Sequence, residues 1–133
     1  MKAADTSVVI AGFAPWHQTH DAARRVLDQR PRLIEQCALE AYSVLTRLPP
    51  PNRAPADVVR AFLAARFPGP MLGLSARAYR EFILELPERR VTGGAAYDAL
   101  VAATAAAHNA ELVTCDRRAM PVYERYGVRL RVL

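Results

Sequence analysis

Apolar residues fall into two patterns along the chain: short clustered runs, and stripes that repeat every three or four positions, with proline and glycine between them. Lys2 to Thr6, continued by Val8-Val9-Ile10, predicts a short first strand that runs into a turn at Gly12, Ala14 and Pro15. Ala22, Ala23, Val26 and Leu27 then form a helical stripe between about His17 and Gln29, stopped by Pro31. Arg32-Leu33-Ile34 is a brief second strand. A helix over Gln36–Leu48 follows, with Ala38, Ala41, Tyr42, Leu45 and Leu48 on one stripe, and Pro49-Pro50-Pro51 ends it.

Pro55 suits the first turn of a helix over Ala56–Phe67, whose stripe is Val58, Val59, Phe62 and Leu63. Met71-Leu72-Gly73-Leu74 is a third strand candidate between Pro70 and Ser75, and Ser75 is placed to cap a helix reaching Leu86. Gly93-Gly94 introduces a helix over Ala95–His108 that is apolar on nearly every side, so burial is expected for it. Leu112-Val113-Thr114 is a fourth strand, Arg118–Tyr126 a short helix capped by Gly127, and Val128–Leu133 a terminal strand. Strands alternating with helices imply an α/β fold, with a mainly parallel central sheet covered by helices on both faces. No internal repeat or linker interrupts the 133 residues, so one domain spanning 1–133 is expected.

Composition changes this picture in two ways. Of the 52% hydrophobic residues many are alanine, so the bulky core is smaller than the figure suggests, although the spread of Leu, Val, Ile, Phe and Tyr still excludes disorder. The net charge is +5, and all of the 18 basic residues except Lys2 are arginine. Arginine pairs bidentately with phosphate and fits a polyanionic partner, but its abundance in a chain rich in Arg and Ala is equally explained by coding bias. Asp98 interrupts the most apolar stretch, excluding a membrane-spanning helix, and Asp5 stands where a signal peptide needs apolar residues; a cytoplasmic location is expected. Cys37 and Cys115 read as small buried hydrophobes rather than a disulfide, and His17 and His20 lack the cysteine spacing of a zinc site.

Candidate chemistry lies with the acids. In a parallel sheet the carboxyl ends of the strands form one rim, and helices that follow strands begin there. Asp5 ends the first strand, Asp116 follows the fourth, Asp98 lies in the first turn or so of the alanine-rich helix, and Glu40 is near the start of the helix after the second strand. Each has an ordinary explanation: Asp98 opposing its helix dipole, Asp116 capping the next helix, Glu40 pairing with an arginine on its own helix. Asp5 is harder to dismiss, since an acid beside Val8-Val9-Ile10 is partly buried and costly unless paired or bound to a cation. Convergence of four acids on one edge favours a site for a hard divalent cation such as Mg²⁺, which takes one or two carboxylates directly and others through water. Such a centre on a basic protein fits a nuclease, the arginines holding the nucleic-acid backbone.

The same residues carry a resemblance. Asp5-Thr6-Ser7-Val8-Val9, the run Leu39–Leu48 around Glu40, the run Tyr97–Ala105 around Asp98, and Leu112-Val113-Thr114-Cys115-Asp116-Arg117-Arg118-Ala119 resemble the four motifs of PIN-domain ribonucleases, and more narrowly the VapC toxins of bacterial type II toxin–antitoxin modules. Their order and spacing cover the chain from end to end. The resemblance implies a PIN-like fold and an endoribonuclease dependent on Mg²⁺ or Mn²⁺ that cleaves RNA to stall translation, neutralised by a cognate VapB-type antitoxin. It implies that Asp5, Glu40, Asp98 and Asp116 are the acidic quartet, with Asp5, Asp98 and Asp116 at the metal, and that Thr6 or Ser7 and Thr114 orient carboxylates or waters. It extends to structured RNA such as transfer or ribosomal RNA, allows a homodimer, and involves no membrane. Two other classes remain open from the sequence: a non-catalytic RNA-binding α/β module, and a receiver-like phosphoacceptor domain, the latter opposed by the lack of any lysine beyond Lys2.

Overall fold

A computed structural model describes residues 1–133. Its strands are β1 (Lys2–Ala4), β2 (Arg32–Leu33), β3 (Glu111–Thr114) and β4 (Leu130–Val132), all parallel and ordered β2-β1-β3-β4. Between them run α1 (Thr6–Phe13), α2 (His20–Leu27), α3 (Glu35–Arg47), α4 (Ala56–Arg66), α5 (Ala76–Glu85), α6 (Ala95–Ala107) and α7 (Met120–Arg125). Successive strand residues point to opposite faces, and Ala3, Ala4, Leu112 and Val113 are all fully buried, so both faces of the sheet are covered. No helix is long and apolar enough to cross a membrane.

Three predicted elements differ. The first strand stops at Ala4, and Val8-Val9-Ile10 belong to α1 rather than to an extended segment. The strand preference of that β-branched run is weak next to two stronger terms: Asp5 caps the helix by accepting from the Val8 amide, and Val8 and Val9 are wholly buried by the helical turn. Met71–Leu74 forms a single bridge, Leu72 against Ile34, instead of a strand. Pro68 and Pro70 just before it lack the amide hydrogens a ladder needs. The helix α6 is buried along Ala99, Val101, Ala102, Thr104 and Ala105 only, and Tyr97, Ala106 and Ala107 are exposed. Alanine exposes so little apolar area that an alanine-rich helix need not be enclosed. The end signals hold: Ser75 Oγ accepts from the Ala78 amide at 3.1 Å, and Gly127 follows α7 with φ of +62°, the left-handed position that glycine fills without strain.

Small residues set the spacing of the core. Ten of the 24 residues in its main cluster are alanine, which lets helices sit close to the short strands and to one another. Gly12 of α1 is one such contact, because a Cβ there would run into Leu27 Cδ1 of α2, and Leu27 is 1% exposed. Helix propensity alone would make Gly12→Ala stabilising by about 1 kcal/mol, whereas overpacking a filled core costs about 1–3 kcal/mol. Steric cost is expected to win, with a net loss on the order of 1 kcal/mol read by equilibrium urea unfolding.

Candidate active site

The strand order reverses direction at β1, whose sequence neighbour β2 lies on one side and β3 on the other. That switch leaves a crevice at the carboxyl ends of β1 and β3, where Asp5 and Asp116 follow their strands directly or within two residues. Asp5 is 2% exposed. Its Oδ1 accepts from Ser7 Oγ at 2.5 Å and the Val8 amide at 3.2 Å, and its Oδ2 accepts from Tyr123 Oη at 3.0 Å. Burial raises its pKa above the ordinary carboxylate value, outweighing the hydrogen bonds that favour the charged form. Tyr123 responds in the same direction: burial, then the neighbouring Asp5 charge, pushes its hydroxyl well up, so it stays a donor.

Ser7 carries the connection onward. Its Oγ accepts from the Cys115 amide at 2.7 Å and lies 3.4 Å from Thr114 Oγ1, which in turn accepts from the Asp116 amide at 2.9 Å. Ser7 and Thr114 thus join the end of β1 to the end of β3 and fix the loop that presents Asp116. Asp116 Oδ1 accepts from the Arg118 amide at 3.0 Å, and its Oδ2 from Arg118 Nη2 at 3.0 Å. The same guanidinium lies 3.5 Å from Asp98 Oδ2 through Nη1, so one arginine bridges two carboxylates. Burial raises the Asp98 pKa, Arg118 opposes the rise, and the charge on Asp116 adds to it.

Glu40 is exposed on α3, and its Oε2 accepts from Thr6 Oγ1 at 3.2 Å, one residue after Asp5. A cleft of about 570 Å³ opens between α3 and α6, walled by Leu39, Glu40 and Ser43 on one side and by Tyr97, Asp98 and Arg118 on the other. Of the quartet, Asp98 and Asp116 come together across Arg118, Asp5 joins them through Ser7 and Thr114, and Glu40 stands at the opposite wall. No three of the Asp, Glu, His and Cys side chains gather into one ligand cluster. Both cysteines are free, as expected, but only Cys37 is buried and Cys115 is half-buried; burial followed by the Asp5 charge lifts Cys37 to about 12 and Cys115 to about 11.

Two residues of this network were not singled out from sequence. Tyr123 lies 118 positions from Asp5 and has no local pattern pointing to it. Arg118 had one available signal, its spacing of two from Asp116 beyond a turn, which suits a side chain folding back on its own cap.

A family model for the PIN domain matches residues 3–125. Ribonuclease VapC40 of Mycobacterium tuberculosis is 50% identical over 133 residues, covering 100% of this chain and 99% of that one. Ribonuclease VapC27 of the same organism is 46% identical over 132 residues, covering 98% and 95%. The crystal structure of FitAcB from Neisseria gonorrhoeae has a TM-score of 0.69 at 19% identity, covering 98% and 96% of the two chains. FitAB bound to an IR36 DNA fragment reaches a TM-score of 0.72 at 18% identity, covering 99% and 94%. These solved structures share the fold.

Two measurements test the wiring. Tyr123→Phe removes the donor to Asp5 Oδ2 and is expected to cost about 1–3 kcal/mol in urea unfolding, the price of an unmet buried acceptor. Asp98 has a raised pKa when folded, so its contribution to stability is full below its ordinary value of 3.8 and is lost as pH climbs through the raised value. Asp98→Asn in metal-free buffer is therefore expected to unfold at equal or higher denaturant than wild type at pH 7, the difference vanishing as pH falls below 3.8. Lower stability of the variant at pH 7 would mean that the Arg118 pair outweighs burial.

Proposed function

The chain belongs to the PIN domain family, and on that footing we propose that it is a VapC-type endoribonuclease, the toxin of a toxin–antitoxin pair, cutting RNA with a divalent cation at the rim between β1 and β3. The observation that carries the reading is the pair Asp98 and Asp116, held together at the carboxyl edge by a positive side chain, in a chain that aligns end to end with ribonucleases.

The donor set suits a divalent cation. Arg118 already stands in for one, its guanidinium at hydrogen-bond range of Asp116 and near Asp98. Mg²⁺ and Mn²⁺ are the proposed ions, since Mg²⁺ takes one or two carboxylates and fills its other positions with water, which two acids and no larger cluster would provide. Asp98 and Asp116 would hold the ion directly. Asp5, with Oδ1 occupied by two donors and Oδ2 by one, has a single lone-pair direction left to offer. Glu40, steadied by Thr6, faces the same cleft from α3 and can orient a water or accept a proton there. When bound, a divalent cation would supply an activated water and neutralise charge that builds on the phosphoryl oxygens during in-line displacement.

The substrate class we favour is structured RNA, transfer or ribosomal, held by arginines around the acidic rim. A cognate VapB-type antitoxin is the proposed partner. Tyr79, Ile83 and Leu84 on α5 are 45%, 45% and 60% exposed, an apolar surface suited to a protein partner, whereas Phe67 and Phe82 from the same part of the chain are core. A non-catalytic RNA-binding module would leave two paired carboxylates in the path of the phosphates with no task.

RNA cleavage is expected with Mg²⁺ or Mn²⁺ and none in excess EDTA, with Asp98→Asn slowed on the order of 100-fold or more under saturating metal. A fluorescence-quenched oligoribonucleotide reads both. Undiminished cleavage in chelator, or a fully active Asp98→Asn protein, would end the metal-site reading.

A further inference from the structure

Arg118 holds two carboxylates at once while remaining exposed to solvent. Its side chain is 75% exposed, against 20% for Asp98 and 30% for Asp116. Both carboxylates attract the guanidinium, Asp116 at 3.0 Å more closely than Asp98 at 3.5 Å. Neighbouring Arg117 makes no ion pair, so the arrangement is particular to one residue of the run.

The oxygens that Arg118 occupies, Asp98 Oδ2 and Asp116 Oδ2, belong to the pair proposed above for the metal. A guanidinium and a divalent ion compete there, because their positive charges repel at contact distance and the guanidinium crowds the oxygens that the ion would take. The exposed arm is free to leave, since ion pairs of this kind hold weakly in water. Its backbone stays fixed, with the Arg118 amide bonded to Asp116 Oδ1 at 3.0 Å, so the displaced guanidinium remains at the wall of the cleft. A planar donor fork there is shaped for a phosphodiester.

We propose that Arg118 is a tethered counter-cation: it keeps Asp98 and Asp116 together before metal arrives, yields them to the divalent ion, and then takes a phosphate of the bound RNA. The inference rests on the metal reading of this pair and adds the residue that gates it.

Calorimetric titration of Mn²⁺ into RNA-free protein tests it. Arg118→Gln is expected to tighten Mn²⁺ binding about threefold, the scale of an exposed ion pair, and to lower the midpoint of thermal unfolding in EDTA by a few degrees. Arg118→Lys, which keeps the charge, should stay within about twofold of wild type in Mn²⁺ affinity, and Arg117→Gln should match wild type. In steady-state cleavage, Arg118→Gln should raise KM for an oligoribonucleotide roughly tenfold, with a smaller fall in kcat, as loss of a charged hydrogen bond to substrate requires. Unchanged or weaker Mn²⁺ binding by Arg118→Gln overturns the proposal, and an unchanged KM overturns its phosphate step. Asp98→Asn separates the layers. If it binds Mn²⁺ as wild type does, the metal reading falls and this inference with it; if it loses Mn²⁺ while Arg118→Gln changes nothing, this inference alone fails.

Discussion

A carboxylate enclosed at the end of a central strand loses the hydration that stabilises its charge, a loss of several kcal/mol unless donors replace the water. Asp5 is in that position, and much of the rim follows from supplying its donors. The chain turns from β1 directly into α1, so that the Val8 amide and Ser7 hydroxyl reach Oδ1, and α7 is packed so that Tyr123 reaches Oδ2. Ser7 then bonds to the Cys115 amide, which pins the end of β3 to the end of β1. One buried acid is thereby linked to the loop that carries Asp116.

Around this fixed point the rim is electrostatically uneasy. The charge on Asp116 adds to the cost of charging Asp98, and Arg118 opposes it. A protein selected for stability alone would replace such a pair by neutral residues. Such a pair in a chain of net charge +5 is the kind of local conflict expected where a chain binds or transforms something, since the strain is relieved by the ligand and not by the fold.

Much of this was legible in the sequence, and the exceptions have physical causes. Helices bounded by proline, glycine or serine, such as α3, α4 and α5, were readable because their ends are set by local chemistry. The β-branched run Val8-Val9-Ile10 reads as strand on propensity alone, since the capping role of Asp5 is visible only once burial puts its carboxylate beneath the Val8 amide. Met71–Leu74 misled because an apolar run says nothing about partners, and only Leu72 finds one. The acids at the rim were readable from their places relative to strands and from family resemblance. Tyr123 and the bridging posture of Arg118 were not, because they depend on which side chains the finished packing brings within reach.

The hydrogen bonds at the crevice join residues far apart in sequence: Ser7 to Thr114 across 107 positions and Asp5 to Tyr123 across 118. A ribosome therefore releases Asp5 and Glu40 long before Asp98, Asp116 and the Tyr123 donor exist. Domains fold as units, and β1 has its inner neighbour β3 only when the later segments have emerged. The acids stay dispersed on a chain that has not reached Tyr123, so a catalyst directed at RNA would be assembled only after those later residues have emerged.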